Sequence, residues 1–319
     1  LVDDFEVPVL HLAAYARTEP CADVPLPPAP PVATARSFAA HTSRSDYERR
    51  VAAVVEHIRN GDIFQANLTQ PFSAEWDGDP RALFWRLCEA SPAPFSAYVE
   101  DGNGTAVLSS SPEEFLFRDG PFVRTRPIKG TRPRGRDAAG DAQLLDELLH
   151  SEKDLAELVM IVDLLRNDLG KVARTGSVFV GPFPEHASFA QVHHLFATVT
   201  AELDSTVTNG ELLRATFPGG SVTGCPKLRC LQILEQIEIA RRGVYTGAIS
   251  VFWPGDRMHC NIAIRTLVHR AGRIRTNTGG GITTLSDPAA EYEETRHKLA
   301  GLERALNVSA SVPPSGPAS

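Results

Sequence analysis

The chain lacks the features that would assign it to several broad classes of protein. It contains no run of about 18 apolar residues and no basic start followed by an apolar stretch, so neither a transmembrane helix nor a secretory signal is expected. Its 32 lysines and arginines are outnumbered by 39 acidic residues and form no dense basic block, which argues against nucleic acid as the main partner. We therefore expect a cytoplasmic protein that binds neither membranes nor nucleic acids.

Cysteine is scarce and shows no pattern. The chain has five cysteines, an odd number, and no two have the CxxC spacing, so neither a disulfide framework nor a zinc site is predicted. A reducing compartment fits this usage. The cysteines are Cys21, Cys88, Cys225, Cys230 and Cys260.

Proline is dense near both ends of the chain. Residues 24–33 (VPLPPAPPVA) show neither helical nor strand periodicity and are typical of an extended linker. We predict an N-terminal remnant and linker over residues 1–35, one domain over 36–308 and a disordered Pro/Ser-rich tail over 309–319. Because the chain begins at Leu1 rather than at Met, we also expect a fragment or a processed start.

Periodicity predicts an α+β chain. Apolar spacing predicts a helix over residues 47–58 after a Ser45 cap, a second helix that begins after Ser151, and a last long helix that begins at Asp287-Pro288. Predicted strands outnumber helices without regular βαβ alternation, which favours α+β over a doubly wound sheet. These strands are Ala106–Leu108, Val178–Val180, Val244–Phe252, Asn261–Val268 and Arg273–Thr276.

The most informative segment is residues 126–135 (RPIKGTRPRG), in which arginines flank Lys129. A free lysine has a pKa of about 10.4, and nearby cations and partial burial both lower it. The neutral amine is a nucleophile, so Lys129 is a candidate for covalent catalysis. A basic surface turn held by two prolines is an alternative that these ten residues leave open.

Two predicted helices carry pairs of acidic residues with i, i+3 spacing. Asp154 and Glu157 form one pair beside apolar positions, and Glu291 and Glu294 form the other. One or two carboxylates from each helix, completed by water and substrate oxygens, suit magnesium. Solvated acids near helix N-termini are the alternative.

Two glycine-rich segments are predicted to form loops. Residues 217–227 lead into a helix that begins at Pro226 and suit anion binding by backbone N–H groups, although the segment lacks the GK[ST] ending of a nucleotide-hydrolysing loop. Residues 279–281 are predicted to form a flexible turn, and either segment would otherwise be only a tight connection. Arg265 is predicted on a strand and pointing inward, where it would bind a carboxylate or form a structural salt bridge.

In combination these segments resemble the chorismate-utilising enzymes, a family that includes anthranilate, aminodeoxychorismate, isochorismate and salicylate synthases. The resemblance runs from about Ser45 to Leu306. It implies a helix-covered β-sandwich with the active site between its two sheets. The motifs that carry it are 61–65 (GDIFQ), 111–113 (SPE), 127–131 (PIKGT), 162–168 (VDLLRND), 192–195 (VHHL), 217–227 (FPGGSVTGCPK), 262–266 (IAIRT), and 286–288 (SDP) continuing to 294–295 (ET).

Position 129 separates the members of this family. Anthranilate synthases typically have alanine there, whereas the Pro-Ile-Lys-Gly-Thr sequence of this chain is similar to that of aminodeoxychorismate synthases. The resemblance implies that Lys129 attacks C2 of chorismate as the C4 hydroxyl leaves, and that ammonia then adds at C4 as the lysine is expelled. The product would be 4-amino-4-deoxychorismate, a precursor of para-aminobenzoate and folate. Anthranilate synthase component I and a catalytically silent chorismate-binding scaffold subunit are the alternatives.

The resemblance also implies roles for other residues. Glu113 would be the general acid, and His194 would lie near the leaving hydroxyl. Gln65 occupies the place where salicylate and isochorismate synthases carry a water-activating lysine, which argues against those reactions. The remaining residues implied for the substrate pocket are Gly130, Thr131, Tyr245, Arg265, Gly279, Gly281 and Lys298.

A metal and a partner are implied as well. Glu157 and Glu294 would hold Mg²⁺, supported by Asp154 and Glu291, and the metal would bind the ring carboxylate of chorismate. None of the cysteines has the Gly-x-Cys-x-Gly setting of a glutaminase nucleophile. A separate glutamine amidotransferase subunit is therefore expected to supply ammonia.

Overall fold

The computed structural model describes residues 10–16, 38–189 and 192–307. The predicted linker and tail lie outside these residues, so the predicted domain boundaries stay predictions. None of the helices described is long and apolar enough to cross a membrane. The α-helices are α1 (Arg44–Arg59), α2 (Pro80–Ala90), α3 (Ala138–Leu149), α4 (Glu152–Gly170), α5 (Asn209–Thr216), α6 (Lys227–Ile237) and α7 (Pro288–Asn307).

The strands belong to three antiparallel sheets. The largest has the order β1-β2-β16-β15-β4-β3 with β12 added beside β2, the second has the order β13-β14-β5-β6-β11-β8, and the third has the order β7-β10-β9. The predicted α+β class is confirmed. The strands are β1 (Ala39–Ala40), β2 (Gln65–Glu75), β3 (Phe95–Glu100), β4 (Thr105–Ser111), β5 (Glu114–Asp119), β6 (Phe122–Arg126), β7 (Ile128–Pro133), β8 (Phe179–Val180), β9 (Glu185–Ser188), β10 (Val192–Phe196), β11 (Val199–Glu202), β12 (Gly224–Cys225), β13 (Ser250–Trp253), β14 (Arg257–Asn261), β15 (Thr266–Arg270) and β16 (Arg273–Ile282).

Three apolar clusters hold the helices against the sheets. Helices α2 and α7 cover the seven-stranded sheet, where Leu83 and Leu299 are buried beside Phe72. Helices α1 and α6 pack on β2 in a second cluster. The third cluster buries α4 and α5 against the six-stranded sheet, with Leu158 and Met258 at 0% exposure. Burial of this apolar area is the main force that fixes α4 and α7, the two helices that carry the paired acids.

Capping residues set the helix starts. Ser151 accepts a hydrogen bond from the backbone N–H of Asp154, and Asp287 caps α7, as predicted. The predicted Ser45 cap of α1 is wrong. The helix begins at Arg44, because the hydroxyl of Ser43 accepts the N–H of Asp46 at 3.1 Å.

The strand predicted over Val244–Phe252 is shorter than expected, since β13 begins only at Ser250. Residues 244–249 form a turn in which Thr246 has a φ of 63°. The N–H of Thr246 donates to the carbonyl of Ala263 at 2.9 Å rather than to a sheet neighbour. Aliphatic composition alone does not reveal this alternative pairing.

The strand predicted over Asn261–Val268 is interrupted. Residues 262–265 connect β14 of the six-stranded sheet to β15 of the seven-stranded sheet, and Arg265 has a φ of 48° in the left-handed region. The N–H of Ile262 donates to the carbonyl of Glu113 at 3.1 Å. The predicted placement of Arg265 on a strand is therefore wrong, and the break brings this segment beside Glu113.

Candidate active site

Lys129 lies on β7 with a side chain that is 11% exposed. Its Nζ donates to the carbonyl of Ser221 at 3.2 Å, and the nearest oxygen of Glu157 is 3.9 Å away. Burial lowers the pKa of Lys129, although the charges of Glu157 and Glu113 act in the opposite direction. A buried amine with a lowered pKa is a chemically competent nucleophile. The alternative, a basic turn on the surface, does not fit a side chain that is 11% exposed.

The arginines around Lys129 do not produce this shift, contrary to the sequence-based argument. Arg126 stacks on the ring of Phe196, and Arg132 and Arg134 each pair with an aspartate. Among the cations, the one that contributes to the lowered pKa of Lys129 is Lys298. The main cause is the loss of water around the amine.

Glu113 lies between β4 and β5 and is 4% exposed. The hydroxyl of Ser221 donates to its carboxyl group. Burial raises the pKa of Glu113 to about 7, although the hydroxyl of Ser221 and the charge of Lys129 lower it. A carboxyl group that is partly protonated near neutral pH suits general acid catalysis. Ser221 thus touches both the amine and the acid, a role that the sequence analysis missed because it treated residues 217–227 only as an anion-binding loop.

His194 lies opposite Thr131 in the pairing of β7 with β10, and its Nδ1 is 2.9 Å from the threonine hydroxyl. Burial, followed by the charge of Arg265, lowers the pKa of His194 to about 4, so the ring is neutral at pH 7. Its Nε2 is buried without a hydrogen-bond partner. Such an atom suits a hydrogen bond to a ligand. The neighbouring His193 points the other way and bonds Ser188 and Asp141, which is a structural role.

Arg265 presents a guanidinium without a compensating anion. Burial lowers its pKa, and its polar contact is with the hydroxyl of Ser91 at 3.5 Å. Within the described part of the chain no carboxylate lies within 4.0 Å of it, so the alternative of a structural salt bridge is not realised there. A partly buried, unpaired guanidinium favours the binding of a carboxylate ligand.

The run Gly279–Gly281 is not the predicted flexible turn, because it lies within β16 and pairs with β2. A side chain at Gly280 would place its Cβ 2.8 Å from Glu291 Oε2 and 3.3 Å from Glu294 Oε1. One at Gly281 would collide with the amide of Gln65 and approach Glu157 to 3.4 Å. The glycines therefore let residues from β2, α4 and α7 approach one strand.

Each of the three acids at this strand faces a lysine. Glu157 lies 3.9 Å from Lys129, and Glu294 lies 2.7 Å from Lys298. Lys298 also donates to the carbonyl of Gly279 at 2.8 Å. The exposed Lys153 is 4.0 Å from Glu291.

These acids offer oxygen donors that fit magnesium. Glu291 Oε2 is buried without a partner, and burial raises the pKa values of Glu157 and Glu291. In the described segments, no group of three or more His, Cys, Asp or Glu side chains is placed so that it could hold a metal ion. Because Mg²⁺ retains waters and substrate oxygens, a few carboxylates are sufficient. Asp154 is instead paired with Arg132 at 3.1 Å.

Two further predicted pocket residues have clear structural settings. Gly130, next to Lys129, has a φ of 78°, and a side chain there would lie 3.0 Å from the Cβ of Asp154. Tyr245 is buried, and this burial raises the pKa of its hydroxyl. It lies near enough to Glu113 for the two charges to interact.

Comparison with known proteins places this arrangement in a family. The chorismate binding enzyme family matches residues 8–304. The chain belongs to this family. The predicted resemblance is thus confirmed.

Curated relatives of two kinds are similar to the chain. Aminodeoxychorismate synthase component 1 of Salmonella typhimurium is 39% identical over 94% of the chain, which spans 66% of that protein. Anthranilate synthase component 1 of Haloarcula marismortui is 40% identical over 96% of the chain, which spans 64% of it. Overall identity therefore does not separate the two activities, and the chain spans less than two thirds of the length of both relatives.

The fold also matches solved structures. Anthranilate synthase component I from Streptococcus pneumoniae superposes with a TM-score of 0.78 at 34% identity, over 85% of this chain and 60% of that one. The predicted fold type, that of the chorismate-utilising enzymes, is confirmed.

The raised pKa of Glu113 predicts a pH-dependent stability. Its folded-state pKa of about 7 lies above the ordinary value of 4.5, so the native state holds a proton that the unfolded chain releases. This contribution is complete below pH 4.5 and is lost as the pH rises to about 7. The free energy of unfolding would be measured in urea for the wild type and for Glu113→Gln. The wild-type value minus the variant value should fall between pH 4.5 and about 7. Glu293→Gln, at an exposed position, should leave the profile unchanged, and parallel profiles for wild type and Glu113→Gln would contradict the assignment.

Proposed function

We propose that this chain catalyses the amination of chorismate at C4 to 4-amino-4-deoxychorismate, with Lys129 as the nucleophile. The observation that carries the proposal is the shared contact of Ser221 with the Lys129 amine and the Glu113 carboxyl group. Ser221 thereby places the Lys129 amine, whose pKa is lowered, close to the Glu113 carboxyl group, whose pKa is about 7. The lysine at position 129, in a Pro-Ile-Lys-Gly-Thr sequence similar to that of aminodeoxychorismate synthases, supports the choice of reaction.

The first half of the reaction forms a covalent intermediate. The neutral amine of Lys129 attacks C2 of chorismate, the ring double bond shifts, and the C4 hydroxyl leaves as water after Glu113 donates a proton. His194 Nε2, which is buried and without a partner, suits a hydrogen bond to that hydroxyl. The surplus proton on the alkylated amine must leave before the adduct is neutral. Burial favours its loss, since the charged form is desolvated.

The second half of the reaction releases the enzyme. Ammonia attacks C4, the double bond returns, and the C2–N bond to Lys129 breaks. The expelled amine regains a proton, and the attacking nitrogen loses one. Arg265 holds a substrate carboxylate throughout, because its guanidinium has no carboxylate partner of its own in the described part of the chain.

Glu157 and Glu294 would hold magnesium, the metal that their oxygen donors fit, and Glu291 would support them. When bound, the ion would neutralise and orient the ring carboxylate of the substrate. Gly280 and Gly281 keep space open beside these acids. Asp154 would take a supporting part through its pairing with Arg132 near Gly130.

Anthranilate formation is the second candidate, favoured by the 40% identity to an anthranilate synthase component. It requires amination at C2 rather than C4. A lysine placed to occupy C2 opposes direct attack by ammonia there, so the first candidate is preferred.

Replacement of Lys129 tests the nucleophile. Lys129→Ala should lower formation of 4-amino-4-deoxychorismate by at least about 1000-fold, because the covalent route is lost. Any remaining amination is expected at C2. Lys129→Arg is the control that keeps a positive charge but no readily available neutral amine. Products from chorismate, ammonium and magnesium would be identified by chromatography and mass spectrometry, and an unchanged rate in either variant would exclude this role.

Calorimetric titration tests the metal ligands without relying on turnover. Glu294→Gln or Glu291→Gln should weaken Mg²⁺ binding by about tenfold or more. The matched control is Glu293→Gln on the same helix, whose side chain is 47% exposed and pairs with Arg44. Titrations with and without chorismate would show whether substrate oxygens complete the site. Equal affinities in all three variants would rule out the assigned ligands.

The proposed source of ammonia is a separate glutamine amidotransferase subunit. Several relatives are named as component 1, which supports a second component for this chain. The purified chain should use ammonium but not glutamine, and addition of the amidotransferase subunit from the same organism should confer glutamine-dependent turnover. Ammonium-driven rates should rise more steeply with pH than glutamine-driven rates, because only the neutral base attacks. Glutamine turnover by the chain alone, with contaminating glutaminase excluded, would contradict a two-subunit enzyme.

A further inference from the structure

A buried carboxylate that the proposed chemistry does not use lies near the end of α4. Asp168 is 1% exposed, and its oxygens face two lysines: Lys227 Nζ is 2.5 Å from Oδ2, and Lys171 Nζ is 2.9 Å from Oδ1. The side chain of Lys171 is 52% exposed, whereas that of Lys227 is 14% exposed. Because a buried charge requires a partner in the same environment, Lys227 is the principal counter-ion of Asp168.

The same lysine also forms hydrogen bonds at the start of the glycine-rich loop. Lys227 Nζ also donates to the carbonyls of Thr216 at 2.5 Å and Pro218 at 2.7 Å. Two of the N–H donors of this ammonium group therefore bond these carbonyls, while its charge lies against Asp168 Oδ2 as an ion pair. Since Lys227 itself follows the loop 218–226, one side chain joins both ends of that loop to α4.

The loop carries Ser221 at its centre. Next to it, Gly220 lies on α4 so closely that a Cβ would be 2.7 Å from Leu164. Both the ends and the centre of the loop therefore contact α4. At the centre, Ser221 accepts the hydrogen bond from Lys129 and donates one to Glu113.

We propose that Lys227 and Asp168 are positioning residues whose ion pair fixes the loop 218–226 and thereby sets the separation of Lys129 from Glu113. The inference rests on the proposed function for its catalytic consequence. Its structural half, that this ion pair holds the loop in addition to the pairing of β12 with β2, is independent of the reaction. Neither residue contacts the reacting atoms.

Amide hydrogen exchange of the full chain, followed by mass spectrometry, tests the structural half. In Lys227→Met, peptides that cover residues 218–226 should exchange about tenfold faster than in the wild type, because the opening of the loop becomes less costly. The matched control is Lys171→Met, which removes a cation from the same carboxylate but leaves the loop contacts intact, and it should exchange like the wild type. Unchanged exchange in Lys227→Met would overturn the proposal.

Steady-state kinetics with chorismate test the catalytic half. Lys227→Met should lower kcat by about 100-fold, the loss typical of a small misplacement of reacting groups. KM should change much less, because the substrate-binding Arg265 does not depend on this ion pair. Lys171→Met should retain kcat. A loss of kcat in Lys227→Met no larger than that in Leu87→Ala, a core variant on α2, would indicate general destabilisation and overturn the positioning role.

A second variant covers the case in which Lys227→Met does not fold. Asp168→Asn keeps the shape of the side chain but removes its charge, and it should show the same two effects at smaller size. Wild-type exchange and kcat in Asp168→Asn would then reject the proposal. If the wild type does not convert chorismate at all, the proposed function fails, whereas the exchange experiment still decides whether the ion pair holds the loop.

Discussion

The burial of one amine is the constraint on which the site depends. A lysine amine is charged near pH 7 in water, and it becomes a nucleophile only when its surroundings disfavour that charge. Burial lowers the pKa of Lys129 by removing water from the charged form. The charges of Glu157 and Glu113 oppose the shift at Lys129. The apolar packing of α4 and the contact with the Ser221 loop must therefore keep water out strongly enough to prevail over both acids.

Charge balance explains why the rest of the site is built as it is. Three acids and three lysines meet beside Gly279–Gly281, while Arg265 stands apart, with no carboxylate near it among the residues that the structure describes. With the Lys129 amine neutral, the acids outnumber the charged lysines by one at the strand, whereas the arginine is positive. A substrate with two carboxylates then fits only if one meets the arginine and the other meets added positive charge, which is the part proposed for magnesium.

Sequence reasoning succeeded where the information is local. Ser151 and Asp287 marked the starts of α4 and α7, because capping depends on residues three positions away. Sequence-based prediction failed where pairing between residues far apart in the sequence determines the structure. The glycines at 279–281 form a strand because β2, more than 200 positions earlier, pairs with them. Arg265 lies outside a strand because residues 262–265 cross from the six-stranded sheet of β14 to the seven-stranded sheet of β15.

The residues of the candidate site show the same contrast between features set by the local sequence and features set by distant contacts. The position of Lys129 in its motif pointed to a nucleophile, but its flanking arginines suggested the wrong cause for the lowered pKa. Those arginines turn to Phe196, Asp154 and Asp141, and only the folded chain reveals the burial. The contact of Ser221 with both Lys129 and Glu113 joins three separate motifs, and no spacing within one motif could predict it.

The most direct test of the account is to look for the covalent bond itself. The enzyme would be mixed with chorismate in the absence of ammonia, quenched within a turnover time, digested and examined by mass spectrometry. The account predicts that the peptide containing Lys129 gains the mass of chorismate less one water, and that ammonium added before the quench removes the adduct. Active enzyme whose Lys129 peptide stays unmodified under these conditions, or an adduct on a different residue, would contradict the central claim.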